Sequence, residues 1–231
     1  IAPVTPPRYL QDSQAQTALN CPMWNGSLQP LAGTGSSVYA LTKSGTPQTI
    51  YRFGQDNPSD TEHWLHWTTD VDVARSQIAG DVSEWTFFTG DGAPKATYNT
   101  IALSGSDYPT VSRPMGVPAP TQAAIATVTG TEDDTELVET RVYTYTFVSK
   151  ESGREIESAP AAASTSVDVR TSQGVDLTGL AAVPSGSYVI THRRIYRSTS
   201  GTFLFVAEIP VANTTYSDTV DPADLAEPLP S

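Results

Sequence analysis

The amino-acid sequence predicts an all-β protein: a small N-terminal β domain of irregular strands over residues 1–117, followed by a β-sandwich over 118–231. Three observations carry this. Short runs rich in Val, Thr, Tyr and Phe are punctuated throughout by the 16 Gly and 18 Pro of the chain. No stretch sustains the i, i+3, i+4 spacing of a long amphipathic helix. After the proline-rich stretch near residue 118, apolar residues fall into a clean two-residue alternation.

Composition narrows the function classes. The formal charge is −12, from 13 Lys+Arg against 25 Asp+Glu, the wrong balance for wrapping nucleic acid or binding an anionic lipid surface. Apolar runs are five residues or fewer, so no membrane span is expected, and no charged segment with an apolar core opens the chain. The start at Ile1 suggests processing, trimming or a fragment. Cys21 is the single cysteine; it leaves no disulfide within the chain and no thiolate metal cage, and it reads as a small buried hydrophobe. A reducing compartment suits this usage.

Along the chain, Asp12 to Leu19 allows either a capped helical turn or an extended segment. All four tryptophans lie before the prolines. In "EHWLHWTTDVD" an extended reading sends Leu65, Trp67, Val71 and Val73 to one face and Glu62, His66, Asp70 and Asp72 to the other. In "EWTFFTG", Trp85 and Phe87 share a face and read as buried. "LAGTGSS" and "TGDGAP" read as turns, since neither has the lysine of a phosphate-binding loop. "SRPMGVPAPTQ", with Pro114, Pro118 and Pro120, reads as a stiff interdomain linker.

The second half alternates more regularly. In Val142 to Val148, Tyr143, Tyr145 and Phe147 share a face that builds a core, against Val142, Thr144, Thr146 and Val148. "ESGRE" turns the chain at Gly153 into the shorter run "IESAP". "STSVDV", "YVITHRRIYRS", "GTFLFVAEIP" with Phe203, Phe205, Ala207 and Ile209 in phase, and "TTYSDT" supply the remaining strands, with "RSTSGT" as the last hairpin.

Candidate sites are few. Glu62, His66, Asp70 and Asp72 could bind a cation, but residues two apart on one strand are about 6.5 to 7 Å apart, so a solvated strand face is the better reading. "TEDDTE", with Asp133 and Asp134 at its centre, lacks the ordered spacing and sharp-turn glycine of a calcium loop and reads as a solvated loop. "HRRIYR" is the only basic cluster, its Arg193 and Arg197 alternating with Arg194. It suits pairing with acidic neighbours inside an assembly better than phosphate binding. No cofactor, no metal and no catalytic constellation is expected.

"YTYTFVSKESGREIESAP", then "RRIYRSTSGTFLFVAEIP", "TTYSDT" and a Leu-Pro tail, resembles the fibronectin-III-like sandwich domains of tailed-phage virion proteins. "RYLQDSQAQTALNCPMWNGSLQPL", "HWLHWTTDVDVA" and "RPMGVPAP" resemble podovirus tail nozzle or tail tubular proteins, which are usually far longer than this chain. The resemblance implies a structural, non-enzymatic component of the virion tail, assembled in the host cytoplasm. Its expected partners are further copies of itself, in a ring that is commonly hexameric, and other tail proteins such as adaptor or fibres, with phage DNA passing through without tight binding. The acidic residues Asp70, Asp72, Asp133 and Asp134 are then candidates to face the channel. The alternative is a cell-surface or carbohydrate-binding module of a tail fibre or secreted protein, with Trp64 or Trp85 stacking on sugar rings.

Overall fold

The structure is a computed structural model and describes residues 6–10, 23–24, 27–28, 41–54, 63–198 and 201–230. The chain divides into two compact units, Ile1–Ala40 and Leu41–Ser231. In the first, the described residues form a single 3-10 turn, Pro7–Tyr9, and the short antiparallel pair β1 (Met23–Trp24) and β2 (Ser27–Leu28). The Asp12–Leu19 segment, Cys21, "LAGTGSS" and Glu62 lie outside the described residues.

The second unit is nearly all β, as its punctuation predicts. β3 (Thr49–Phe53) and β4 (His63–Trp67) pair antiparallel. β5 (Asp72–Arg75), β6 (Thr86–Thr89), β7 (Lys95–Thr97) and β8 (Arg113–Pro114) form a four-stranded sheet in that order. One helical turn, α1 (Asn99–Ala102), follows β7. Phe53, Leu65, Trp67, Val71, Phe88 and Ala102 make one core cluster here, and Trp85, Ala96 and Tyr98 a second. The expected face of Leu65, Trp67, Val71 and Val73 is therefore the buried one. The opposite face differs from expectation, because β4 ends at Trp67 and β5 belongs to another sheet, so Asp70 and Asp72 do not continue the face of His66.

The corner between β4 and β5 depends on close backbone approach. Gly90 has φ +102, and a Cβ placed there would stand 2.2 Å from the Asp70 carbonyl oxygen. Only glycine satisfies both conditions. "TGDGAP" forms the expected turn, joining β6 to β7, with Lys95 Nζ 2.8 Å from Asp91.

Beyond the prolines, eight strands build a β-sandwich: β9 (Ile125–Thr129), β10 (Val138–Glu151), β11 (Arg154–Glu157), β12 (Val167–Arg170), β13 (Gly174–Thr178), β14 (His192–Ser198), β15 (Phe203–Pro210) and β16 (Tyr216–Asp218). One sheet has the order β11-β10-β14-β15, with β12 on the first part of β10; the other is β16-β13-β9. Their facing side chains, among them Tyr143, Tyr145, Phe147, Val169, Ile195 and Ile209 against Val175 and Leu177, form the largest core of the described residues. Tyr145 keeps its hydroxyl satisfied inside it, donating to the Gln122 carbonyl and accepting from the Ala181 amide. The second face of β10 is also buried: Thr144 donates to the Ala161 carbonyl and Thr146 to Glu157.

β15 corrects the sequence reading. Ile195 pairs with Ala207 but Tyr196 pairs with Phe205, so Val206 is an extra residue in a β-bulge. The bulge reverses the phase. Ala207 and Ile209 point with Ile195 into the core, whereas Phe203 and Phe205 point outward, Phe205 packing edge-on against Tyr196.

Candidate interaction surfaces

The "ESGRE" turn is where the sandwich meets the preceding sheets. Ser152 (φ 46) and Gly153 (φ 76) form a two-residue hairpin turn with both φ positive, the form that follows the twist of the flanking strands. Its tip is gripped from the other side. The Trp85 indole N–H donates to the Ser152 carbonyl at 3.1 Å, and the hydroxyls of Ser152 and Ser83 are 2.8 Å apart. Arg113 donates from Nε and Nη2 to Glu151, and the Tyr98 hydroxyl donates to the same carboxylate. Burial and the Glu151 bond push the Tyr98 phenol above its ordinary pKa. The Arg154 guanidinium lies 5.3 Å from the Trp85 ring centre and 5.0 Å from that of Phe87, a cation–π arrangement on two rings. Burial lowers its pKa. The proline stretch is thus not a free spacer at its start: Arg113 and Pro114 are β8, and Val117 packs on the sandwich core.

The basic cluster divides between two faces of β14. Arg193 and Arg197 point inward and are almost wholly buried. Arg197 donates to Asp218 at 2.7 Å, both side chains having zero exposure, and also to the Val220 carbonyl. Asp218 accepts from the Tyr143 hydroxyl and the Val220 amide as well. The ion pair bridges the two sheets, and burial beside Asp218 drives the Tyr143 pKa far upward. Arg193 donates to the carbonyls of Val211, Asn213 and Ala181 and lies over the Phe147 ring. Burial lowers its pKa. Neither arginine is available to a partner protein.

Arg194 points outward and is held by Glu155, Glu157 and Glu208 at 2.5, 2.7 and 2.9 Å. Lys150 joins the same network through Glu208 and Glu155. For Glu208, burial acts upward, but the bonds from Lys150 and Arg194 outweigh it and hold the carboxyl below its ordinary range. Arg194 and Arg197 thus pair with acidic residues of their own chain, whereas Arg193 is held by carbonyl oxygens.

The acidic candidates are less alike than the sequence suggests. In the 131–136 loop, Asp133 accepts from the Thr135 amide and hydroxyl, which lowers its pKa. Glu132 and Asp134 pair with Arg170, which also donates to the Glu136 carbonyl. The loop is organised around one arginine, and among the described residues no group of three or more His, Cys, Asp or Glu is arranged to hold a metal ion. Asp70 and Asp72 are exposed. His66 was expected on a solvated face, yet it is 1% exposed. The Lys43 amide donates to its Nε2, which requires the proton on Nδ1, facing the Trp64 carbonyl. Trp64 is half-buried, while Trp85 is inside its cluster, so the two aromatic candidates separate.

The junction at Trp85 and the buried Arg197–Asp218 pair are the features that sequence reasoning missed. A carboxylate, Glu151, beside a two-residue turn was the available signal for the first; for the second, arginines at alternate positions of a strand whose intervening residue is Ile195. Comparison with protein-family models, curated proteins and solved structures finds no match for the chain.

Proposed function

We propose that the chain is a non-catalytic structural subunit of a phage tail, of the nozzle or tail-tube kind. In this reading it forms a ring around the DNA channel, docks other tail proteins and is assembled in the host cytoplasm. The observation that carries the reading is the junction. A hairpin tip clamped by Trp85, Arg113 and Tyr98 turns two β modules into one body, which suits a wall that must keep its shape and suits a flexibly tethered binding module less. The stretches that resemble fibronectin-III-like virion domains support it too, since β10, β11, β14 and β15 are hydrogen-bonded neighbours in one sheet. Asp70 and Asp72 fit a channel lining that repels phosphate better than the 131–136 loop does, because Arg170 already neutralises part of the loop.

The test is the state of association of the full chain, by light scattering and negative-stain imaging over a concentration series. Closed rings are expected; a strictly monomeric, protease-resistant chain at high concentration would count against the reading. Trp64 supports the carbohydrate-binding alternative, being half-buried on a strand face. Saturable binding on a glycan array that disappears in Trp64→Ala would favour that alternative.

A further inference from the structure

The last described stretch crosses from one sheet of the sandwich to the other. β16 lies beside β13 at the edge of the three-stranded sheet. After a 3-10 turn at Pro222–Asp224, residues 226–229 run along the free edge of β15 in the opposite sheet, with Pro228 facing Leu204.

The two ends of this crossing are held differently. At β16 the anchor is Asp218, buried on Arg197 and Tyr143. Along β15 the hold comes from main-chain bonds: the Ala226 amide to the Phe205 carbonyl, the Phe205 amide to Glu227, and the Leu229 amide to Phe203. The side chains of Ala226, Glu227, Pro228 and Pro230 are exposed, and a groove of about 590 Å³ lies between them and Glu157, Arg194, Tyr196 and Phe205. The connection is mostly exposed as well, with Asp221 capping the Ala223 amide. A segment attached mainly through its backbone meets the same donors and acceptors on any copy of β15.

We propose that, in the oligomer, the 225–230 segment leaves its own β15 and completes the β15 edge of a second copy. The bonds made are identical in the closed and exchanged forms, so association is driven by concentration and by whatever further surface the neighbours bury. Pro228 and Pro230 have no N–H to offer, which hinders recruitment of another strand on the outer side and limits exchange to one segment per edge. Each copy donates at one place and accepts at another. The exchange therefore links neighbours head to tail and closes into a ring where the rotation permits, with Asp218 fixing the point of departure. This inference rests on the self-association in the reading above.

The experiment uses the full chain with Cys21→Ser, in two single-cysteine forms, Leu204→Cys and Pro228→Cys, mixed at a concentration where oligomers form and mildly oxidised. Exchange predicts a mixed disulfide dimer in roughly half of the Leu204→Cys chains, the share for random partner choice, and very little from either form alone. Oligomers without the mixed disulfide, while the Leu204→Cys, Pro228→Cys double variant closes within one chain, overturn the exchange and leave self-association standing. A chain that never associates overturns both. A second measure covers the case in which the cysteines disturb the edge: a chain ended after Leu225 should keep its fold and lose its oligomer, and unchanged association would overturn the proposal.

Discussion

Substituting Asp218 by Asn probes the element that ties the two sheets together. The substitution preserves shape and leaves one oxygen for the Tyr143 hydroxyl, so what it removes is the negative charge beside Arg197 together with the acceptor of the Val220 amide. Both side chains of the pair have zero exposure, and Arg197 Nε and Nη2 are buried without hydrogen-bond partners, so beyond the Val220 carbonyl the guanidinium has no second protein acceptor to replace the carboxylate. Removing one partner of a buried pair costs about 3–5 kcal/mol, and a shape-preserving change belongs near about 3 kcal/mol. For a unit of this size each kcal/mol moves the thermal midpoint by about 2–4 °C, so a fall of about 6–12 °C is expected. Calorimetry of the full chain at neutral pH measures it, with urea denaturation to check that the slope is unchanged. The Tyr143→Phe, Arg197→Met, Asp218→Leu triple variant, which also removes the hydroxyl that Asp218 accepts from, should recover most of the loss, because a buried ion pair replaced by well-packed apolar groups is often neutral or better. A midpoint for Asp218→Asn within about 1 °C of the parent, or a triple variant no better than the single, would refute the reasoning.

The β15 bulge predicts that two phenylalanines of similar sequence context differ: Phe147→Ala, fully buried, should cost about 3–5 kcal/mol, and Phe205→Ala, only partly buried on the outer face, under about 2 kcal/mol by urea unfolding. Glu151→Gln removes the charge shared by Arg113 and Tyr98 at a mostly buried site. It should cost about 1–2 kcal/mol and separate the calorimetric transition of the sandwich from that of the preceding sheets. Tyr143, Tyr145 and Tyr196 all have raised pKa values, by burial first and, for Tyr143 and Tyr196, by bonded carboxylates. Their protonated forms are favoured by folding, so this stability is complete below the unfolded tyrosine value of about 10 and is lost as pH rises through and beyond it. Alkaline unfolding should coincide with the appearance of phenolate absorbance, and Tyr196→Phe should shift it upward. Glu208 has the opposite sign: its depressed pKa makes its contribution complete above about 4.5 and lost as pH falls below that, an acid-side loss that Glu208→Gln should reduce.

Features that follow from local alternation are legible in the amino-acid sequence. An all-β chain, the core face of Tyr143, Tyr145 and Phe147, the buried row Leu65, Trp67, Val71 and the turns at Gly92 and Gly153 were all legible, because strand period and positive φ are properties of a few consecutive residues. The alternation of "HRRIYR" was legible too, but not which side of it entered the core. Arginine in an interior is unfavourable unless a carboxylate arrives from elsewhere, and Asp218 comes from another sheet, 21 residues along the chain. The extra residue at Val206 has no local mark and shows only in register against β14, so Phe203 and Phe205 were assigned to the wrong face. His66 looked solvated because its cover, the Lys43 backbone, is 23 residues away. The purpose of the charged turn at Glu151–Arg154 likewise appears only when Trp85, Tyr98 and Arg113 are brought against it. A strand states its period locally, whereas the partner that satisfies a buried charge or a turn is chosen by pairing across the fold, and only the tertiary structure makes that choice visible.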